Sequence, residues 1–264
     1  MKSLFFALIA TLAVVGCSTE FDPFEAPAAP AALYAALSAD RGEQIVRIEP
    51  VTAPGSLPPN AQALLIEEGG DTLWLRLRGP AVPGGQGAVF IADTTARAGG
   101  VYRVEGTVSG DFGERSVIGR LRLPPRYSGQ VDTVTVDTLL GLSQVLTWQD
   151  LRANPSSLVL TYFFGARDST NLSSFTRAYG AGFQTNAGYA FNVRLGRDIN
   201  QFGPTAAAFV GRPDSLRLFA VHADLLVTAS GAVDDAPGEL VGTARSLFEW
   251  TPPDSVVCAS LGCG

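Results

Sequence analysis

The sequence predicts an all-β protein, organised as two β-sandwich-like domains. Three observations carry that expectation. Apolar side chains recur with a period of two, glycine-rich turns separate the runs, and no stretch of helical periodicity lies between them. The segment Gln44-Ile-Val-Arg-Ile-Glu-Pro50 reads as a strand closed by a proline. Leu73, Leu75 and Leu77 alternate with Trp74, Arg76 and Arg78, setting an apolar face against a polar one. Val101 to Val108 and Ser116 to Leu123 continue the pattern, the latter with Val117, Leu121 and Leu123 on one face. Gly69-Gly70-Asp71, Pro83-Gly84-Gly85 and Gly99-Gly100 punctuate these runs as turns.

Pro124-Pro125-Arg126-Tyr127-Ser128-Gly129 marks a boundary, so the first sandwich is expected over 43–125 and a second β-rich domain over 130–257. The second contains Asp132 to Asp137, Val145 to Trp148, the apolar strand Leu158 to Phe164, and Tyr189, Phe191, Val193 and Leu195 in alternation. Ser215 to Val221 and Ser246 to Trp250 complete it. Trp148 shares its parity with Leu146, as a sandwich-core tryptophan does. Residues 165–188 alternate poorly and are rich in Gly, Ser, Thr and Asn, which predicts a long surface excursion. Residues 17–42 read as a tether interrupted by Pro23, Pro27 and Pro30, in which only Ala31 to Ser38 could form a helical turn or two. Residues 258–264 are a short tail.

The N-terminus has the parts of a secretory signal in order: Met1-Lys2-Ser3, an apolar run from Leu4 to Val15, and a small residue, Gly16. The twelve residues of that run are too few for a membrane span, which needs about 20. Val14-Val15-Gly16-Cys17 closes it as a lipobox, making 1–16 a signal peptide and Cys17 the first mature residue. In these features the chain resembles bacterial lipoproteins. The resemblance implies a diacylglyceryl group on the Cys17 sulfur, usually with a further acyl chain such as palmitate on its amine. Each buried CH₂ contributes about 0.8 kcal/mol, so two or three chains form a durable anchor where one would not. Under the sorting rule of such lipoproteins, Ser18 in place of an aspartate favours the outer membrane; whether the chain faces the periplasm or the cell surface stays open.

Apart from Lys2, every basic residue is an arginine: 18 arginines against 25 acidic residues, a net charge of −7 once the signal is removed. That balance argues against nucleic acid or anionic lipid as a partner. Cys258 and Cys263 stand close together near the C-terminus, and in an oxidising compartment such a pair usually closes a local disulfide. Free thiols are the alternative, while a metal would find only half of a tetrahedral zinc shell there.

Residues suited to catalysis are few. His222 is the sole histidine; it shares strand parity with Leu216, Leu218 and Ala220 and stands two residues from Asp224, as a hydrogen-bonded histidine at the core edge would. No nucleophile elbow, zinc-binding helix or phosphate loop is present in the sequence. Glu67-Glu68, Asp132 with Asp137, and Asp234-Asp235 are the paired carboxylates a glycosidase would need, though nothing in the sequence directs any pair to a common cleft. The chain is therefore expected to be non-enzymatic, with no cofactor and no metal. Binding leaves better traces. Trp74, Arg76 and Arg78 share the polar parity of one strand, and Tyr179, Phe183 and Tyr189 bracket the long excursion, so these six are the candidate binding surface.

Gln44-Ile-Val-Arg-Ile-Glu-Pro50, Ala61 to Glu67 and Gly100-Val-Tyr-Arg-Val-Glu105 together resemble the N-terminal part of Bacteroidota-type outer-membrane lipoproteins of an uncharacterised domain class. Gly238 to Phe248 corresponds to a glycine-rich stretch near their C-terminus. The resemblance implies a tether, an immunoglobulin-like sandwich, a larger C-terminal β-domain and frequent association with TonB-dependent transporters; it supplies no catalytic residues. The expected function is that of a lipid-anchored lipoprotein of the outer membrane or cell surface that binds a protein partner, for which a transporter is one candidate. The alternative is a glycan-binding module or a two-carboxylate hydrolase.

Overall fold

The computed structural model describes residues 31–50, 61–80, 87–110, 113–137, 141–166, 172–180, 182–201 and 216–253. The lipobox with Cys17, and Cys258 and Cys263, lie outside the described residues. The protein is all-β but for one short helix among those described. The strands up to the expected boundary are β1 (Ala31–Ser38), β2 (Gln44–Pro50), β3 (Gln62–Glu67), β4 (Thr72–Trp74), β5 (Arg76–Pro80), β6 (Ala88–Ala92), β7 (Val101–Gly110) and β8 (Gly113–Arg122). Beyond it come β9 (Gly129–Val131), β10 (Thr135–Asp137), β11 (Gly141–Gln149), β12 (Ser157–Ala166), β13 (Ser173–Tyr179), β14 (Phe183–Gln184) and β15 (Gly188–Val193). Helix α1 (Leu195–Gln201) then precedes two long strands, β16 (Leu216–Asp234) and β17 (Gly238–Trp250).

One sheet runs in the order β4-β3-β7-β8-β16-β17-β1-β2-β6-β5, with β12 added on β16 and β13 on β12. Its end strands, β4 and β5, are consecutive in the chain and separated only by Leu75, so the path folds back on itself as a sandwich. Gly106 of β7 lies under the side chains of Ile48 and Leu33, which puts β7 face to face with β1 and β2. Between these layers sits a core that includes Leu33, Ile48, Leu65, Phe90, Val104, Leu121 and Leu240. A second sheet, β10-β11-β15-β14 with β9 on β11, packs its inner face against β12 and β16. That core holds Leu146, Trp148, Tyr162, Phe191 and Leu225. Trp148 is fully buried as expected, edge-on to Phe191 with ring centroids 5.7 Å apart.

The hairpin β16–β17 belongs to both cores. Leu218 to Val227 face the second core, while Ala229 and Val233 farther along the same strand pack on the first. On the return, Leu240 and Ala244 enter the first core and Trp250 the second. Polar bonds tie the junction. Asp40 accepts from the backbone N–H of Arg245 at 2.6 Å and from Arg126 at 3.3 Å, and the Tyr127 N–H donates to Ser246 Oγ at 2.8 Å.

Three expectations are corrected. Ala31–Ser38 is neither tether nor helix but strand β1, parallel to β17 and antiparallel to β2. Its Leu33, Ala35 and Leu37 are buried and its Tyr34 and Ala36 are not; small alanines on both faces blurred that alternation in the sequence. The tether expected over 17–42 therefore does not extend past residue 30. Residues 165–188 are not a surface excursion throughout: β13 pairs with β12 over its whole length. Of the strand expected over Ser215 to Val221, Ser215 lies outside the described residues and Leu216 to Val221 is only the start of β16, whose pairing with β12 is offset by a bulge opposite Phe163 and Phe164. That bulge shifts the strand parity, so Leu218 and Val221 are both buried while His222 turns outward.

Gly238, where β17 begins, tests how tightly this arrangement is held. It has a φ of 145°, and a β-carbon there would overlap the Leu33 carbonyl of β1. Gly238→Ala is expected to lower stability by about 3 kcal/mol, read as an earlier urea midpoint by far-UV circular dichroism. An unchanged midpoint would show that the parallel β1–β17 pairing is not required.

Candidate functional site

The alternating leucines do not form one apolar face. Leu75 is buried, with its N–H donated to the Ala63 carbonyl at 3.0 Å, but Leu73 and Leu77 are exposed. The cause is a change of partner: β4 pairs with β3, β5 pairs with β6, and a bulge falls between Leu77 and Gly79. Trp74 projects outward opposite Leu64 and is 67% exposed. Arg76 and Arg78 do not stack on it. They reach Asp93 at 2.7 Å and Glu43 at 3.0 Å in exposed ion pairs, each of which contributes at most about 1 kcal/mol. Leu73, Trp74 and Leu77 are thus all exposed, but on different faces: Leu73 and Leu77 pair with core residues Leu65 and Phe90 at the edge of the sandwich, while Trp74 points to the outer face.

Tyr179, Phe183 and Tyr189 do not share a surface. Phe183 is exposed, whereas Tyr189 is buried in the second core, 5.4 Å from the Phe191 ring. Tyr189 pairs directly with Trp148 across the sheet, and that register carries it inward. Tyr179 turns its hydroxyl toward the interior. There it accepts from the Arg194 N–H at 3.2 Å and donates to Asp198 Oδ2. The same carboxylate oxygen takes a hydrogen bond from the Tyr162 hydroxyl at 2.6 Å, and Arg177 Nε lies 3.8 Å from the other oxygen.

Asp198 is 1% exposed, so these donors replace the water it has lost. Burial raises the proton affinity of both phenols well above the ordinary tyrosine value, and the adjacent Asp198 charge reinforces the effect. Above this node opens a cavity of about 290 Å³, lined by Arg177, Tyr179, Asn192, Arg194, Arg197 and Asp198 among others. Except for Tyr179, these residues were not singled out in the sequence. The available signal was the helical spacing of Arg194, Arg197 and Asp198, which a single two-turn helix inside a β-rich region leaves inconspicuous.

His222 is not a core-edge residue bonded to Asp224. It is half-exposed, its Nε2 lies 2.9 Å from Glu249 Oε2, and its ring is 4.6 Å from that of Phe163. Asp224 binds Arg245 instead, at 2.7 Å. Glu67 is paired with Arg97, and Asp234-Asp235 occupies the β16–β17 turn, where Asp235 takes a φ of 49° that aspartate tolerates better than most residues. Among the described residues no group of three His, Cys, Asp or Glu side chains is arranged to hold a metal ion.

No protein-family model matches the chain, and no curated protein does. Solved structures with a similar course include a DUF4785 family protein from Legionella pneumophila, at 11% identity and a TM-score of 0.29, over 72% of this chain and 51% of that one. A pullulanase complexed with maltotriose from Anoxybacillus sp. LM18-11 aligns at 9% identity and a TM-score of 0.27, over 74% of this chain and 24% of that one. A chain of a cytokine receptor complex aligns at 12% identity and a TM-score of 0.24, over 83% and 95%. The chain thus spans about half the length of the Legionella protein, and likenesses this distant assign it no family.

The tyrosine node gives a pH prediction with a definite sign. A tyrosine of the unfolded chain releases its proton near pH 10, while Tyr162 and Tyr179 hold theirs to higher pH in the fold. The stability they contribute is therefore complete below pH 10 and is lost as pH rises beyond it. Tyr162→Phe should cost about 1–2 kcal/mol at neutral pH and make the alkaline decline shallower, as measured by urea unfolding at stepped pH. Identical slopes for the two proteins would refute the assignment.

Proposed function

We propose that the chain is a lipid-anchored, non-enzymatic lipoprotein of the outer membrane or cell surface that binds a protein partner, with an outer-membrane transporter as the leading candidate. The observation that carries the binding role is Trp74. A tryptophan 67% exposed on the outer face of β4, with the ion-paired Arg76 and Arg78 on the strand that follows, supplies the kind of aromatic anchor that binding surfaces use. Tryptophan is among the residues most enriched at binding hot spots. The lipobox ending at Cys17 supports the anchor, and the scarcity of catalytic groups supports a non-enzymatic role.

Two experiments test the proposal. Cells fed a radioactive fatty acid should label the protein, and Cys17→Ser should abolish the label; label that survives the substitution removes the anchor. A photo-crosslinking amino acid at position 74 should capture a discrete membrane-protein partner, and Trp74→Ala should weaken that complex roughly thirtyfold. The same exposed indole favours one second reading, a glycan platform. A glycan-array signal lost in Trp74→Ala, without a protein crosslink, would select it.

A further inference from the structure

We propose that the open pocket lined by residues of β13, β15 and α1 is a binding site for a compact polyanionic group, a phosphate, sulfate or polycarboxylate. The inference goes beyond the partner-binding reading and is independent of it. Three guanidinium groups, Arg177, Arg194 and Arg197, line the cavity against one carboxylate, Asp198. That carboxylate is already engaged: one oxygen accepts from both phenols, and the other faces Arg177. It therefore offers little to a ligand while leaving the cavity with a net positive charge.

The state of the arginines points the same way. Arg177 is held by Gln201 Oε1 at 3.1 Å as well as by Asp198, so its position is set by the fold. Arg194 and Arg197 are exposed and, among the described residues, take neither an ion pair nor a side-chain hydrogen bond. Some exposed arginines elsewhere find carboxylates, as in Arg76–Asp93, Arg78–Glu43 and Arg97–Glu67, while Arg41, Arg120 and Arg122 do not, among the described residues; what sets Arg194 and Arg197 apart is that they line one pocket together with Arg177. Arg194 and Arg197 stand three residues apart at the start of α1, where like charges repel unless something neutralises them. Planar guanidinium forks match the oxygens of a phosphate, sulfate or carboxylate, and the exposed Asn192 amide adds a neutral donor at the rim. A cation is excluded by the charge, and a neutral sugar would leave that charge uncompensated.

The test uses the full chain purified from membranes in non-ionic detergent. Calorimetric titration with inorganic phosphate, sulfate, citrate and glycerophosphoglycerol is compared with chloride at matched ionic strength. At least one of the four is expected to bind saturably at about millimolar concentration or tighter. The double substitution Arg194→Gln/Arg197→Gln should weaken that binding tenfold or more, roughly the loss of a charge-assisted bond. It removes only exposed side chains that have no partner among the described residues, so an unchanged melting curve is expected alongside, and Trp74→Ala should have no effect on the titration. Preference for glycerophosphoglycerol would identify a lipid headgroup as the source of the anion; preference for phosphate, sulfate or citrate would identify a soluble one. No saturable signal above chloride for any of the four, or a signal that the double variant leaves intact, overturns the proposal.

Discussion

Two hydrophobic cores share one hairpin, and the rest of the molecule is arranged around it. At about 3.3 Å per residue, the 19 residues of β16 extend roughly 60 Å, long enough to wall both cores in succession. The inward period of two survives along it except at the bulge opposite Phe163 and Phe164, so each stretch presents apolar side chains to whichever core it passes. β1 depends on this hairpin because its parallel partner is β17, and β12 depends on it because β16 separates it from the rest of the sheet. The two sandwiches cannot separate without tearing a common wall, which favours cooperative unfolding.

Buried polar side chains fix where loops meet that wall. Gln44 is wholly buried; its amide oxygen accepts from the Ser38 N–H, and its amide nitrogen donates to the carbonyls of Ser38, Arg41 and Thr94. Gln144 does the same between sheets, donating to the Asp132 carbonyl and accepting from Trp250 Nε1 at 3.1 Å. Each such group costs stability if left unpaired, so a loop displaced from its partner is penalised and the correct path is selected. Asp198 belongs to this class. Its carboxyl group is held by two phenols with an arginine nearby, and that same node holds Tyr179 at the floor of the basic cavity.

The two surfaces of interest differ in chemistry and in origin. Leu73 and Leu77 are exposed because the chain changes pairing partner at Leu75, from β3 to β6, which leaves a short strand on each side, while Trp74 keeps the outward parity of β4. The arginine-lined cavity exists because one helix of seven residues crosses the end of β15 and brings its charges beside an edge strand. An exposed indole and a cationic pocket suit different ligands, and they are built on different cores.

Much of the fold was legible in the residues themselves. Strand β2 falls on the predicted segment from Gln44 to Pro50, β7 and β8 extend the predicted alternations by a few residues, and Trp148 lies in a core as its parity required. Trp74 was legible as an outward-facing indole for the same reason. These are local properties, since the two-residue period of a strand follows from its backbone geometry. The remainder rests on pairing between distant segments, for which a single sequence carries no local signal. β1 was hidden by alanines until β17 supplied its partner, β13 until β12 did, and the separation of Tyr179 from Tyr189 followed from inter-strand register. The meeting of Arg177 with Arg194, Arg197 and Asp198 joins an edge strand to a helix about twenty residues away in sequence. Period and turn chemistry determined the class of fold and most of its strands; only tertiary pairing decided which faces were covered, and therefore where a ligand could bind.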